Sequence, residues 1–209
     1  MKRSKPVKIE PKDTFEIAFW GNCVHTYHEE IKHFVYARCM GLIYTYYPDP
    51  KYPSINRGGF DLKGKSVLDI GGGPVSMLLK SHNFSRGTVA DPILFPQWVQ
   101  DRYRAANVEY VCTPGEEIGY FGYDEAWLYN VLQHTEDPER VIHNARRAAK
   151  VVRLFEWIDI PAHDGHPHML TEQSLRKWLK TDAGVTQHIN DSGCVGRAFF
   201  GTFHVRKPR

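Results

Sequence analysis

Two aspartates and a run of glycines carry the clearest chemical signal in this sequence. The segment Ser66–Ile70 is a short apolar run typical of a buried strand, and Asp69 is its fourth residue. Gly71, Gly72 and Gly73 follow the strand directly. A carboxylate at the end of a buried strand needs a cationic or hydrogen-bonding partner, because an unpaired buried charge is costly. Glycines let the backbone turn sharply and approach a ligand closely, so this segment predicts a ligand site.

The second aspartate, Asp91, ends the predicted strand Arg86–Asp91 and lies 22 residues after Asp69. In a nucleotide-binding βαβ unit, an acid at the end of the second strand accepts hydrogen bonds from ribose hydroxyls. A carboxylate suits this task because it offers two acceptor oxygens and no donor. Pro92 and Ile93 come directly after Asp91, where they can lie along an adenine ring. The two acids and the glycines between them therefore predict a nucleoside-binding site.

The glycine loop differs from that of a dinucleotide site. Such a site presents Gly-x-Gly-x-x-Gly to a pyrophosphate, whereas Ser76 stands at the third glycine position here and Asp69 precedes the loop. A nicotinamide-dependent reductase is therefore the alternative among enzymes. The remaining interpretation is that the glycines only form a tight turn between a strand and a helix, and that Asp69 has no role in binding.

A histidine follows the fourth predicted strand, Tyr123–Tyr129. Open parallel sheets bind ligands in the crevice outside the carboxyl ends of their strands, where Asn130 and His134 would lie. Imidazole is suited to accept a proton from a hydroxyl or an amine, because its ordinary pKa is close to neutral. We therefore expect His134 to act as a general base. The alternative is that it fills space or caps the helix that begins at Asp137.

The loop at residues 158–169 contains three histidines, whose pattern is His-x-x-His-x-His. Histidines and acids together can bind a metal ion. Here no regular element holds the residues in place, and two prolines and a glycine predict a surface turn at the mouth of the site. We therefore predict no metal site. His25, His28, His163 and His166 are the other candidates for the general base.

Asp69-x-Gly71-x-Gly73 resembles motif I of the class I S-adenosylmethionine-dependent methyltransferases, and Asp91 is the counterpart of their motif II. The resemblance covers roughly residues 60–205 and implies S-adenosyl-L-methionine as the cofactor. In this family the glycine loop lies against the methionine part of the cofactor, and the strand-end acid helps to bind its amino group. An acid after the third strand commonly reaches the adenine amino group. Pro114 stands at that position here, so Gly115 and Glu116 are the expected substitutes.

The stretch from Asn130 to His134 resembles the motif IV region of small-molecule methyltransferases. The Asn/Asp-Pro-Pro-aromatic signature of nucleic-acid amino-methyltransferases is absent from it. The resemblance thus implies methyl transfer to an O, N or C nucleophile of a small-molecule acceptor, with no nucleic-acid partner. A non-catalytic module that binds S-adenosylmethionine or a nucleotide is the alternative outside enzymes.

The predicted elements alternate between strands and helices. Five strands are predicted at residues 66–70, 86–91, 108–112, 123–129 and 151–157, and helices at 95–106, 137–149 and 171–179. A helical pattern also begins after the glycine loop, at Val75. An antiparallel pair at 185–190 and 197–205 ends the chain. We predict an α/β three-layer sandwich, with a mostly parallel, seven-stranded Rossmann-like sheet and a reversed C-terminal strand.

Residues 1–58 are predicted to form an N-terminal helical extension or lid, and residues 59–209 the S-adenosylmethionine-binding methyltransferase domain. Within the extension, helices are predicted at residues 13–20 and from Thr26 to Cys39, with Gly41 ending the second one. Residues 44–53 are too rich in proline for regular structure. Such an extension either covers an edge of the sheet or closes over a substrate pocket.

The composition is that of an ordinary globular protein of 209 residues, 42% apolar and 24% charged. The net charge of +3 is too small to indicate a polyanionic partner. No apolar run reaches the ~18 residues that span a membrane, so no membrane association is expected. Four cysteines form no Cys-x-x-Cys pair, which favours a cytoplasmic location. The sequence carries no signal for the oligomeric state.

Overall fold

A computed structural model describes residues 24–49 and 51–205 of the chain. The strands, in chain order, are β1 (Tyr44–Pro48), β2 (Asn56–Asp61), β3 (Ser66–Ile70), β4 (Ser81–His82), β5 (Arg86–Asp91), β6 (Val108–Cys112), β7 (Tyr123–Tyr129), β8 (Ala149–Trp157), β9 (Val185–Asp191) and β10 (Cys194–His204). The α-helices are α1 (Val24–Cys39), α2 (Gln97–Ala105), α3 (Pro138–Ala148) and α4 (Glu172–Leu179). Short 3-10 turns occupy Met77–Lys80, Gly115–Glu117 and Leu132–His134.

Seven strands form one sheet in the order β6-β5-β3-β7-β8-β10-β9. The first five of these run parallel, whereas β10 is antiparallel to both β8 and β9. The predicted mostly parallel sheet with a reversed C-terminal strand is therefore confirmed. Because parallel strands end at the same edge, the carboxyl ends of β3, β5 and β7 meet there. This edge holds the candidate site.

Helices cover both faces of the large sheet, each over its own apolar core. On one face α1, the turn Met77–Lys80 and α2 pack together through residues such as Val35, Met77 and Val99. On the other face α3 and α4 pack through residues such as Val141 and Leu175. The predicted three-layer sandwich is thus confirmed. No helix in the described ranges is long and apolar enough to cross a membrane.

Helix α1 ends as the sequence predicts, at Gly41. The backbone N–H of Leu42 donates to the carbonyl of Ala37 at 2.8 Å, and that of Gly41 donates to Arg38 at 3.0 Å. These two bonds form a Schellman motif, which requires the positive φ of +71° that Gly41 adopts. The chain then enters β1 close to the large sheet. At its other end α1 begins at Val24, two residues before the predicted start.

The prediction of a helix after the glycine loop is wrong. The chain makes only the four-residue turn Met77–Lys80 and then β4, which pairs in parallel with β2 through Phe60 and Ser81. Residues 74–85 must complete the whole crossover between β3 and β5. Because β4 uses two of them to pair with β2, too few are left for an α-helix.

The prediction that residues 44–53 are irregular is also wrong. Tyr44–Pro48 forms β1, which pairs antiparallel with β2 from Tyr44 opposite Phe60 to Pro48 opposite Asn56. A proline is tolerated there because β1 is an edge strand and Pro48 is its last residue. The proposed boundary between residues 58 and 59 falls inside β2, and the predicted helix at 13–20 lies outside the described residues.

Candidate functional site

Asp69 is completely buried at the end of β3, as predicted. Its Oδ2 atom accepts hydrogen bonds from the Tyr129 hydroxyl, at 2.6 Å, and from the Ser76 hydroxyl. Its Oδ1 atom has no partner among the described residues. Burial raises the pKa of Asp69 to about 7, and the two hydroxyl bonds oppose that rise. The site thus contains a buried carboxylate oxygen that is free to accept a hydrogen bond.

The glycine loop needs glycine for different reasons at each position. Gly71 and Gly73 have φ angles of +74° and +59°, in the region that disfavours other residues. A Cβ atom on Gly71 would clash with Val131, and one on Gly72 would lie 2.7 Å from Asp69 Oδ2. A Cβ atom on Gly73 would meet no atom within 4 Å. The loop is therefore packed against the protein at Gly71 and Gly72 and open at Gly73.

Asp91 connects the end of β5 to this loop. Its Oδ2 accepts a hydrogen bond from the backbone N–H of Gly73 at 3.0 Å, and its Oδ1 accepts one from Ile93 at 3.0 Å. These bonds orient the carboxylate beside the open part of the loop. Ile93 is buried next to it, whereas Pro92 is exposed. The structure therefore brings together the glycine loop, Asp91 and Ile93.

Two tyrosines that the sequence analysis missed hold the loop in place. The Tyr103 hydroxyl, from α2, donates to the carbonyl of Gly73 at 2.6 Å and accepts from the N–H of Ser76 at 3.1 Å. The Tyr129 hydroxyl donates to Asp69 and also accepts from the N–H of Met77 at 3.1 Å. Both rings are buried. A tyrosine at the carboxyl end of a predicted parallel strand was the available signal for Tyr129.

Gly115 and Glu116 lie on the α3 side of the sheet. The Asn144 side chain donates to the carbonyls of Gly115 and Glu116, at 3.0 and 2.8 Å. The Glu116 carboxylate accepts hydrogen bonds from the backbone of Glu136 and Asp137, at 2.8 and 3.1 Å. Glu116 therefore ties its loop to the start of α3, and the structure does not place its carboxylate against Asp91.

The turn after β7 begins at Asn130, whose φ is +51°. Its N–H donates to the carbonyl of Phe155 at 2.9 Å, and its side-chain oxygen accepts from Gln133 at 2.9 Å. Glu156, near the end of β8, also holds this turn. Its Oε1 accepts from the N–H groups of Val131 and Leu132, both at 3.1 Å. Glu156 is a buried acid, in addition to Asp69 and Asp91, that the sequence analysis missed.

His134 lies at the end of this turn and faces the loop at 158–169. Its Nδ1 is 2.9 Å from the carbonyl oxygen of Gly165. A carbonyl can only accept, so Nδ1 carries the proton and Nε2 of the neutral ring is an acceptor. Burial by the surrounding atoms lowers the pKa of His134, although solvent still reaches the ring. His134 is thus a neutral imidazole in a defined tautomer.

Two other candidate bases lie beside His134. The ring of His166 is perpendicular to that of His134 at 4.5 Å, and the ring of His163 lies 4.3 Å from His166. Burial lowers the pKa of His166 to about 4. No group of three or more ligating side chains in the described ranges is arranged to hold a metal ion. The side chains of His25 and His28 lie outside the described residues.

Helix α1 covers the site next to Tyr129. The ring of His33 meets that of Tyr129 edge-on at 5.5 Å, and the ring of Tyr36 is 6.2 Å from Tyr129. Tyr36 also packs on Phe155 at 4.4 Å. The part of the N-terminal extension that the structure describes thus lies directly against the site.

The sequence matches no protein-family model and no curated protein. Many solved structures are similar in fold, among them the following three. The 1,6-didemethyltoxoflavin-N1-methyltransferase of Burkholderia thailandensis, with its substrate and S-adenosylhomocysteine bound, has a TM-score of 0.58 at 14% identity over 98% of this chain and 94% of that chain. Magnesium protoporphyrin IX methyltransferase of Synechocystis, with S-adenosylhomocysteine bound, has a TM-score of 0.51 at 17% identity over 66% of this chain and 74% of that chain. The N-methyltransferase NodS of Bradyrhizobium japonicum, also with S-adenosylhomocysteine bound, has a TM-score of 0.50 at 15% identity over 68% of this chain and 79% of that chain.

Coverage varies among the similar structures. The chain spans 65% of the YcgJ protein of Bacillus subtilis and 52% of the cyclase SpnF. At these low identities the similarity concerns the fold. The chain has the Rossmann-like fold of the S-adenosylmethionine-dependent methyltransferases, as its motif I and motif II residues predicted.

Proposed function

We propose that this protein transfers a methyl group from S-adenosyl-L-methionine to a small-molecule acceptor. The observation that carries the proposal is the hydrogen bond between Asp91 and Gly73, because it joins the two predicted cofactor-binding segments at the carboxyl edge of the sheet. That edge is where open α/β sheets bind their ligands.

The residues at this edge fit the cofactor. The free Oδ1 of Asp69 can accept a hydrogen bond from the ammonium group of the methionine part. The open side of Gly73 gives a ligand close access to the backbone. Asp91 lies beside it and can accept from the ribose hydroxyls through its remaining lone pairs. Ile93 offers an apolar surface to adenine.

S-adenosylmethionine supplies a methyl group on a sulfonium, which is already a good leaving group. The acceptor nucleophile forms a bond to that carbon as the carbon–sulfur bond breaks, and S-adenosylhomocysteine leaves. The protein then mainly aligns the two reactants and excludes water. Where the acceptor loses a proton, Nε2 of His134 can take it, because Gly165 holds the other ring nitrogen as the donor.

Two observations support a small-molecule acceptor. The similar folds include enzymes that are named for a toxoflavin precursor and a porphyrin. The described mouth of the site carries neutral imidazoles at His134 and His166, and the net charge of the chain is only +3. A polyanionic substrate would favour a strongly basic surface instead.

Calorimetric titration tests the cofactor. We expect S-adenosylhomocysteine to bind with micromolar affinity and NAD not to bind. Binding of NAD without a response to S-adenosylhomocysteine would reverse the assignment to a nicotinamide reductase. Labelled S-adenosylmethionine offered with panels of hydroxyl, amine and heteroaromatic acceptors then tests methyl transfer.

Binding without turnover is the second candidate. It is favoured by the packing of α1, since His33 and Tyr36 lie against Tyr129 at the site. The cofactor and the acceptor can both enter only if α1 shifts, so a helix that shifts for the cofactor alone would give binding without turnover. Cofactor binding together with no methyl transfer to any acceptor class would support this candidate.

A further inference from the structure

Two buried side chains beside the candidate site each carry a polar atom that has no hydrogen-bond partner among the described residues. These atoms are the hydroxyl of Tyr36, on α1, and Oε2 of Glu156, near the end of β8. Tyr36 is 1% exposed and Glu156 is completely buried. Buried polar atoms are normally hydrogen-bonded, because leaving one unpaired is costly. Each of the two atoms therefore requires an explanation.

The two atoms belong to the same part of the molecule. The ring of Tyr36 packs on that of Phe155, the residue before Glu156, with 4.4 Å between the ring centroids. Burial raises the pKa of the Tyr36 hydroxyl, and Glu156 is among the nearby groups that raise it further. Oε1 of Glu156 accepts from the N–H groups of Val131 and Leu132, in the turn that carries His134. Glu156 thus connects the hydroxyl on α1 to the turn after β7.

Glu29, also on α1, connects the Tyr36 hydroxyl to His134 itself. Besides burial, Glu29 is the group that raises the pKa of Tyr36 most. Burial lowers the pKa of His134, and Gly165 and Glu29 oppose that shift. The Glu29 carboxylate, which also pairs with Lys32, therefore acts on both rings. The unpartnered hydroxyl lies in the neighbourhood of the proposed base.

Both unpartnered atoms are hydrogen-bond donors. Burial raises the pKa of Glu156 to about 8, against the effect of its two backbone hydrogen bonds, so the carboxyl keeps its proton at neutral pH. That proton is on Oε2, because Oε1 already accepts two hydrogen bonds. The Tyr36 hydroxyl keeps its proton too, and the nearby Trp157 indole cannot accept from it, because an indole N–H only donates. A ligand that pairs with both atoms must therefore offer acceptor atoms.

The surroundings of the two donors favour an uncharged ligand over an anionic one. Glu29 and Glu156 both act on the Tyr36 hydroxyl, and an anion would be repelled by the charge of Glu29. The neighbouring surface is aromatic, since the rings of Phe155 and Trp157 lie 4.4 and 6.4 Å from that of Tyr36. A carbonyl oxygen or a ring nitrogen on an aromatic compound meets these conditions.

We propose that the Tyr36 hydroxyl and Oε2 of Glu156 bind the methyl acceptor by donating hydrogen bonds to its carbonyl oxygen or ring nitrogen atoms, and that the acceptor is an uncharged aromatic compound. This inference rests on the proposed function and names the substrate class of the same site. It gives a reason for the two unpaired atoms, because the acceptor supplies the partners that the protein lacks. It also brings the acceptor close to His134.

Urea denaturation of the ligand-free protein tests whether the hydroxyl is unpaired. Tyr36→Phe removes a buried hydroxyl without a partner, so its midpoint should equal or exceed that of the wild type. Tyr123→Phe is the matched control, because Tyr123 is equally buried but its hydroxyl donates to Thr88 at 2.9 Å. This control should have a lower midpoint. A lower midpoint in Tyr36→Phe would show that the hydroxyl has a partner within the protein and would overturn the inference.

Two probes of the same shape test the substrate class. Benzamide is uncharged and offers a carbonyl oxygen, whereas benzoate is an anion. We expect benzamide to bind the wild-type protein saturated with S-adenosylhomocysteine, as followed by ligand-observed NMR titration, and benzoate to bind at least ~10-fold more weakly. This factor corresponds to the loss of a hydrogen bond to a group of the wrong charge. Equal affinities, or no binding of benzamide, would overturn the inference.

Variants assign the binding to the two side chains. Tyr36→Phe should bind benzamide ~3–10-fold more weakly, the effect of one neutral hydrogen bond, and S-adenosylhomocysteine as the wild type does. Glu156→Gln still offers an N–H donor in place of Oε2 and should bind benzamide normally. Tyr123→Phe should also bind it normally. Unchanged affinity in Tyr36→Phe, or a loss in Glu156→Gln as large as that expected for Tyr36→Phe, would overturn the inference.

The failure of this inference is distinguishable from failure of the proposed function. If S-adenosylhomocysteine does not bind the wild-type protein, the proposed cofactor is wrong. If it binds and the probes do not behave as expected, only the acceptor site is wrong. Should Tyr36→Phe not fold, as judged by its circular dichroism, the comparison of benzamide with benzoate on the wild type still decides the question.

Discussion

The carboxylate of Asp91 accepts a hydrogen bond from the backbone of Gly73 at 3.0 Å. This contact joins the end of β5 to the loop that follows β3, across a crossover that contains no α-helix. The hydroxyl of Tyr103, on α2, also holds the loop, because it forms hydrogen bonds with both Gly73 and Ser76. Two separate segments, β5 through Asp91 and α2 through Tyr103, thus fix the conformation of the loop before any ligand arrives. Such preorganisation lowers the cost of binding.

Asp91→Ala should weaken cofactor binding. The change removes acceptors for the ribose hydroxyls and for Gly73, and hydrogen bonds to a charged group contribute ~1.5–3 kcal/mol. Titration with S-adenosylhomocysteine should therefore give an affinity ~10–100-fold lower. Asp101→Ala is the control, since Asp101 is an exposed acid on α2 that, among the described residues, bonds to Gln97 and Arg104. Wild-type affinity in Asp91→Ala would show that the ribose assignment is wrong.

Tyr129→Phe should destabilise the protein. It removes the hydroxyl that donates to Asp69 and accepts from Met77, so the buried N–H of Met77 loses its partner and Asp69 Oδ2 keeps only the Ser76 hydroxyl. Each such loss costs ~1–3 kcal/mol. Urea denaturation should show a lower midpoint with an unchanged slope. Tyr46→Phe is a suitable control, because the Tyr46 side chain is 76% exposed. Equal midpoints for the wild type and Tyr129→Phe would contradict the proposed network.

Asp69 should make stability depend on pH. Its pKa is about 7 in the folded protein and 3.8 ordinarily, so the folded state keeps a proton that the unfolded state releases. The stabilisation is fully present below pH ~4 and is lost as the pH rises through 7, by up to ~4 kcal/mol for three pKa units. Asp69→Asn cannot titrate and should lose less stability than the wild type between pH 5 and pH 8.

Urea denaturation at these two pH values provides the measurement. Asp124→Asn is the contrasting variant, because hydrogen bonds with Lys150 and Ser66 lower the pKa of Asp124 instead. Asp124 stabilises the protein above its ordinary pKa and should therefore contribute nothing to the change between pH 5 and pH 8. An identical pH response in the wild type and Asp69→Asn would disprove the raised pKa.

The sequence predicted the parts of the fold that local patterns determine. The apolar run at Ser66–Ile70 and the strand Tyr123–Tyr129 have the predicted bounds, and Asp137 caps α3 as the proline at its first position indicated. The segment after the glycine loop was predicted wrongly because its structure depends on pairing with a strand that is distant in the sequence. Its residues Ser81 and His82 pair with β2, and no local pattern reveals that partner.

The positions of the candidate site residues were predictable where motifs define them and not where burial does. Asp69 and Asp91 stand at strand ends, which the sequence shows, and the structure joins both to the glycine loop. Glu156 was missed because a charged residue near the end of an element usually faces solvent. It is buried only when the strand packs behind the turn that follows β7.

Glu156 should be required for the turn that carries His134. Glu156→Ala leaves the N–H groups of Val131 and Leu132 without an acceptor, at a cost of ~1–3 kcal/mol for each. Glu156→Gln keeps an oxygen at the same place and should lose much less stability. Urea denaturation of both variants tests this, with the exposed Glu139→Ala as control. Equal losses in the alanine and glutamine variants would show that the two backbone bonds do not matter.

His134→Ala should lower turnover and leave cofactor binding nearly unchanged. Gly165 fixes Nδ1 of the ring as a donor, so Nε2 is the atom that would take the acceptor's proton in the proposed reaction. Loss of a general base typically costs ~10²-fold or more in rate. The measurement is turnover at saturating cofactor with an acceptor from the panel, together with calorimetry of S-adenosylhomocysteine.

His163→Ala and His166→Ala are the matched variants, since both rings belong to the same cluster. Normal turnover in His134→Ala with a collapse in one of these two would move the base to that residue. Normal turnover in all three would show that the acceptor loses its proton without help from this cluster.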